Sequence, residues 1–412
     1  MASVKIIVDG ALCCGCGACS RTCRIRAITY VRNEAGYIIP RVLENCVNCG
    51  QCLRVCPSID METVMQEVEG DPFVGTCISG YIGHASDGNL RREGQSGGVV
   101  SAFLIWLLKS GKIDGAVVNH FDEKTQRNKA IYVNTEKDIL AGVGSYYAQS
   151  TVVDTVLANK GKRLAVVALG CQAQALHRLR KIDVELAKNL LVLGLVCGGN
   201  YSGDYIDDLV SLAATGRDDI ASKMRFRYKS KHAGGWPGKV CVWFGNKAAV
   251  LPSVRRIERK ELYALPRCKV CFDRMNVFSD VVFGDPWGIG RKDNRKGNTV
   301  AIVRTCKGRD LFEDFVASGY VDGDFISPDV INAGQRVNEV TRANFYSLGR
   351  DVKFEFAKRI MLSGSRFDIE RTRRERLLME QRKNRRLLVV SSVAKVFKPI
   401  LLLRRFLKGS RK

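Results

Sequence analysis

No stretch of about 18 uncharged apolar residues occurs in the 412-residue chain, which excludes a conventional membrane-spanning helix. Histidine is scarce. His84, His120, His177 and His232 are scattered, with no nucleophile motif beside any of them, which argues against hydrolytic nucleophile–base chemistry. Residues 1–10 (MASVKIIVDG) lack the charged start, long apolar run and cleavage site of a secretory leader, so the chain is expected to be cytoplasmic. No recognisable nucleic-acid-binding fold accompanies its basic charge, and nucleic acid is not an expected partner. The apolar fraction of 46% is ordinary and excludes wholesale disorder. The length predicts two or three domains.

Cysteine and positive charge are abundant, and both are concentrated. Of 16 cysteines, nine lie within residues 13–56. The formal net charge is +24, and residues 366–412 carry 16 Lys and Arg against 4 Asp and Glu, half of that excess. The cysteines mark a head and the charge marks a tail.

The head carries Cys13-Cys14-Gly15-Cys16-Gly17-Ala18-Cys19-Ser20-Arg21-Thr22-Cys23, then Cys46-Val47-Asn48-Cys49-Gly50-Gln51-Cys52-Leu53-Arg54-Val55-Cys56-Pro57. Setting Cys14 aside as a bystander, both runs read C-x2-C-x2-C-x3-C. Three closely spaced thiolates can wrap a cubane only if the backbone turns tightly, which Gly15, Gly17 and Gly50 permit. Zinc sites prefer C-x2-C pairs with longer gaps, and a disulfide framework is disfavoured in a reducing compartment. Residues 1–68 resemble the bacterial two-cluster ferredoxin module, departing from it at Arg24, where proline is usual. In that module the fourth cysteine of each run ligates the other cluster. The resemblance therefore implies one 4Fe-4S cluster on Cys13, Cys16, Cys19 and Cys56, and another on Cys46, Cys49, Cys52 and Cys23. Such a pair relays single electrons, and substrate chemistry must lie elsewhere.

In the middle, Gln95-Ser96-Gly97-Gly98 opens an apolar run to Leu108 that predicts a buried helix with Ser96 as its N-cap. Strands are expected at Asp114–Val118, Arg163–Leu169 and Asn189–Val196, with a helix beginning at Gly170-Cys171-Gln172. Val282–Gly288 is a second glycine-rich segment. Helices alternating with short Val/Leu strands predict an α/β or mixed sheet with sites at strand ends.

The segments GQSGGVVSAFLIWLL, IDGAVV, GSYYAQS, LGCQAQALHRL, LGLVCGG and CKVCFDRMNVFSDVVFGDPWGI follow one another across 75–345. In that order they resemble the family of coenzyme F420 hydrogenase/dehydrogenase beta subunits, which includes relatives encoded with polysaccharide genes. The resemblance implies FAD near a 4Fe-4S cluster, exchanging a hydride with a small carrier. It makes Cys171, Cys197, Cys268 and Cys271 the ligands of a third cluster, and points to Gln95, Ser96, Gly97, Gly98, Asp285 and Gly288 for the flavin. Gly170 and Tyr146 stand where the family usually has proline and lysine. Cys77, Cys241 and Cys306 lack partners at ligand spacing and are expected to be packing residues.

From Arg366 the chain is Arg-rich without Gly or Pro until Pro399, which predicts helix. Its apolar face bordered by cations suits an anionic membrane surface or docking on a protein, with the charge alone favouring neither.

The expected architecture is thus α+β / α/β. A two-cluster ferredoxin-like domain (1–68) precedes a mixed α/β flavin-type body (75–345) and a basic helical tail (346–412). The expected function is an iron–sulfur flavoprotein oxidoreductase with a redox partner protein or a small hydride carrier, for which few histidines suffice because cofactors carry the chemistry. The alternative is a non-enzymatic electron-carrier or scaffold subunit, for instance in polysaccharide biosynthesis.

Overall fold

The short Val- and Leu-rich runs become neighbouring strands of one mixed sheet. The computed structural model describes residues 2–342 apart from 60, 217–219, 230–233 and 291–293, so the basic tail expected over 346–412 lies outside the described residues. In chain order the strands are β1 (Ile28–Arg32), β2 (Ile38–Val42), β3 (Ser79–Ala85), β4 (Gly115–Asp122), β5 (Arg127–Val133), β6 (Leu164–Ala168) and β7 (Leu190–Leu195). They continue with β8 (Lys223–Tyr228), β9 (Lys239–Phe244), β10 (Lys247–Leu251), β11 (Val281–Gly284), β12 (Thr299–Val303) and β13 (Val321–Ile326).

β1 and β2 form an antiparallel hairpin in the head. β8, β9 and β10 form a small antiparallel sheet, and the other eight run in the order β13-β3-β12-β11-β7-β6-β4-β5. At its centre β11, β7, β6 and β4 are parallel neighbours. Antiparallel partners extend both sides.

β6 and β7 read as unbroken apolar runs because both of their faces are covered. Ala165, Leu191 and Leu193 pack into one core with Phe103, Phe283, Phe312 and Phe315. Leu164, Val166, Leu190 and Val192 pack into another with Val152, Val153, Val156, Leu176 and Leu179. The first core is brought by the helices Val99–Lys109 and Cys306–Ala317. Within it the fully buried Phe103 ring lies 4.7 Å from Phe315 and 5.7 Å from Phe312, centroid to centroid. Phe103→Ala is expected to cost about 3–5 kcal/mol, seen in anaerobic denaturant unfolding as a lower midpoint at unchanged slope.

The second core is covered by the helices Val152–Ala158 and Gly170–Arg180, and here the head joins the body. Cys14, Cys16, Ala18 and Val55 belong to this core. The Val153 N–H donates to the Cys16 carbonyl at 2.9 Å, and the Ser20 hydroxyl donates to Asp154 at 2.8 Å.

Two local expectations are corrected. The helix begins at Val99 with Gly98 as N-cap at φ +79 and no side-chain cap bond. Ser96 lies two residues before that cap and donates its hydroxyl to Asp285, a charge-assisted bond. The glycine-rich segment Val282–Gly288, whose plain reading is a turn-forming loop, is strand as far as Gly284, where β11 ends and the chain turns.

Candidate functional site

Ligands in open α/β sheets gather outside the carboxyl ends of parallel strands. Here Cys171 follows β6, Cys197 follows β7 and Asp285 follows β11. Cys268 and Cys271 come from the short helix Pro266–Lys269 and the turn after it. Those four thiols line one cavity of about 460 Å³. Among the described residues no three His, Cys, Asp or Glu side chains close tightly enough to hold a single metal ion. The four thiols surround one space, an arrangement that fits the corners of a cubane.

Sulfur hydrogen bonds fit the same group. The Gly199 N–H donates to Cys197 Sγ at 3.4 Å and the Asn200 N–H to Cys268 Sγ at 3.3 Å. A thiol is a weak acceptor, whereas a cluster-bound thiolate rewards such donors. Burial pushes the Cys268 thiol up to about 12 and the Cys197 thiol up to about 11. Coordinated iron would reverse that preference.

In the head, Gly15 and Gly17 have φ of +69 and +94, and a Cβ on either would strike the body, at Gln149 Nε2 (2.6 Å) and Asp154 N (2.8 Å). These glycines therefore serve both the tight turn and the close approach. Backbone N–H groups of Gly15, Val4 and Ala27 donate to the sulfurs of Cys13, Cys52 and Cys23 at 3.3–3.4 Å. Cys56, from the second run, lies near Cys13, Cys16 and Cys19. Cys23, from the first, lies near Cys52, which in turn has Cys46 nearby. Cys49 is exposed. Cys14 sits with its buried thiol against both Cys16 and Cys171, between the head set and the body set.

A second cavity, of about 200 Å³, is lined by Gln95, Ser96, Gly98 and Asp285 together with Tyr147 and Thr299. Asp285 is its hub. It accepts from Ser96, from Arg227 and from Trp236 Nε1, the last at 2.9 Å. Burial pushes its carboxyl up, but Arg227 and the Ser96 and Trp236 donors outweigh this and hold it below the usual carboxylate range. The Gly97 N–H donates to Thr299 Oγ1 at 2.8 Å. Gly288 does not line this cavity; at φ +72 it packs against Gly334, 3.1 Å from where its Cβ would stand.

Buried N–H groups of Arg225 (Nε, Nη1) and Arg227 (Nη2) have no hydrogen-bond partner among the described residues. Arg225 abuts Gly144 and Arg227 binds Asp285, both cavity residues. Spare cationic donors beside a helix opening fit an anionic group such as a dinucleotide pyrophosphate. The two cavities adjoin, sharing Leu169, Cys197, Gly198, Gly199 and Asn200.

Sequence reasoning missed these arginines. The one signal was the alternation Arg225-Phe226-Arg227-Tyr228-Lys229, which places three cations on one side of a strand. Cys241 is buried as expected, but Cys306 is exposed at the start of its helix, where a packing role fails. Cys77 is half-buried, near Arg304 and Asn332. His177 bonds Glu67 at 3.0 Å and lies against the Phe278 ring, a structural role.

Residues 81–157 and 161–328 match the N-terminal and C-terminal parts of the family described as coenzyme F420 hydrogenase/dehydrogenase, beta subunit. Residues 12–59 match a 4Fe-4S dicluster domain. The chain is 28% identical over 326 residues to a coenzyme F420-dependent sulfite reductase of Methanocaldococcus jannaschii, covering 74% of this chain but only 46% of that protein. It is 28% identical over 320 residues to a component of the F(420)H(2) dehydrogenase of Methanosarcina mazei, covering 74% of this chain and 83% of that one. A chain in the solved F420-reducing nickel–iron hydrogenase complex of Methanosarcina barkeri shares the fold, with a TM-score of 0.54 and 22% identity over 69% of this chain and 96% of that one. A dicluster head joined to a body that matches both parts of one family places the chain among the coenzyme F420 hydrogenase/dehydrogenase beta subunits, a family of oxidoreductases.

Proposed function

We propose that the chain relays single electrons between three 4Fe-4S clusters and an FAD that exchanges a hydride with coenzyme F420 or another small carrier. The observation that carries this is adjacency: the cavity of four thiols and the cavity around Asp285 share five wall residues at the ends of parallel strands. Cys13, Cys16, Cys19 and Cys56 would hold one head cluster, and Cys46, Cys49, Cys52 and Cys23 the other. Cys171, Cys197, Cys268 and Cys271 would hold the body cluster.

Gln95, Ser96, Gly98 and Asp285 would bind the flavin, whose ring converts single electrons to a hydride, with Gly97 held in the loop by Thr299 and Gly288 only shaping the turn against Gly334. In this arrangement Gly98 opens the helix Val99–Lys109 toward the ligand. Asp285 fixes the Ser96 loop, and Arg225 and Arg227 supply positive charge. The names of the relatives, each an F420-linked oxidoreductase, support the carrier. One-electron exchange with a partner protein fits the head, where Cys49 is exposed and the nearby Val47 is 68% exposed.

Cys49→Ala tests the relay. The variant is expected to keep its flavin, and to keep flavin bleaching by a small hydride donor, while reduction of a one-electron acceptor falls to background. Unimpaired one-electron turnover would remove the head from the mechanism. Wild-type protein that binds no flavin after anaerobic reconstitution would favour a pure carrier.

A further inference from the structure

Arg267 immediately precedes Cys268 and is 1% exposed, the largest fully buried side chain described. A guanidinium stays charged in proteins, and an uncompensated buried charge costs several kcal/mol. No carboxylate among the described residues pairs with it within ion-pair distance. Its bonds go to neutral acceptors: Nε donates to Ser58 Oγ at 3.2 Å, and Nη2 to the Pro57 carbonyl at 3.3 Å and Gln174 Oε1 at 3.4 Å. Nη1 has no hydrogen-bond partner among the described residues. It lines the cavity that the body thiols surround, with Cys271, Cys171, Cys14 and Cys268 as its titratable neighbours.

A thiolate-ligated cubane carries net negative charge, and that charge sets its potential. We propose that Arg267 is the built-in counter-ion of the body cluster, a positioning residue that raises that cluster's potential above the value four buried thiolates alone would give. One electron taken up by the cluster adds one negative charge beside a fixed positive one, with no proton moved. The reduced form is therefore the one favoured. Asp273, an acidic residue that lines the same cavity, is engaged by Gln174 at 3.1 Å and by the Val277 N–H at 2.9 Å.

Arg267 also touches the head. Pro57 follows the ligand Cys56, and Ser58 donates to the carbonyl of Leu12, which precedes Cys13, at 2.6 Å. The same guanidinium thus sits covalently next to a body ligand and hydrogen-bonded next to a head ligand.

This rests on the assignment of a cluster to Cys171, Cys197, Cys268 and Cys271, and the experiment separates the two. Iron in the full-length wild type is counted first: about eight irons instead of about twelve would overturn the cluster and the proposal together. Arg267→Met and Arg267→Lys are then titrated with dithionite and mediators. Electron paramagnetic resonance follows the signal that is absent from Cys268→Ala.

At the wild-type midpoint, the reduced-to-oxidised ratio of that signal should fall at least tenfold in Arg267→Met, about 59 mV for one electron. It should largely recover in Arg267→Lys. Loss of about four irons from the Met variant but not from the Lys variant would also support the charge. A full iron complement with an unmoved signal in Arg267→Met, equal shifts in both variants, or iron loss from both would overturn it, leaving Arg267 a role of shape alone.

Discussion

Cys268→Ala is expected to purify anaerobically with about eight irons per chain in place of about twelve, with acid-labile sulfide falling in step. The head keeps its own ligands and its own small core of Val4, Ile28 and Cys52, so its iron should be unaffected. The flavin should also stay, because Cys268 lies in the wall of the thiol cavity and not in that of the cavity around Asp285. A colourless flavin fraction together with the full iron complement would reverse both assignments. Iron and sulfide assays with released-flavin fluorescence on one preparation decide it.

Asp285→Ala is expected to lose the flavin and about 3–5 kcal/mol of stability, since Arg227 would be left buried without its partner. The two sources of that loss can be parted. Adding Arg227→Met removes the stranded cation and should restore most of the stability, because contacting residues are not additive. It should not restore flavin, since Ser96 and Trp236 would still lack their acceptor. Denaturant unfolding and flavin content of the single and double variants measure the two effects separately. If the double variant regained flavin, Asp285 would be only a counter-ion to Arg227.

What was legible in the sequence was local. The two head runs declare themselves because three of each four thiols fall within seven residues, bent by glycines. β6 and β7 declare themselves because burial on both faces leaves no polar position in Leu164–Ala168 or Leu190–Leu195. The joining of Cys171 and Cys197 with Cys268 and Cys271 came through family resemblance alone, since the segments are far apart in the chain and only the strand order brings them to one cavity.

Burial of cations was not legible. Nothing local distinguishes Arg267 from a solvated arginine, and the alternation around Arg227 marks one side of a strand but not that it is covered, because burial depends on which other segments close over them. Ser96 misled for a related reason, as its preferred acceptor lies 189 residues away. Cys14 looked redundant in the ligand count and acquires a place only when the head meets the helix that begins at Gly170.

Because Cys14, Cys16, Ala18 and Val55 share a core with Val152, Val156 and Leu176, the head cannot work as a tethered shuttle. A swinging domain hands over charge only during transient encounters, at a frequency set by linker length and effective concentration. In the proposed relay the donor and acceptor ends would be held by one packed interior, making the hand-over a fixed-distance event with no encounter step. Solvent viscosity and ionic strength then act only on exchange with molecules outside the chain.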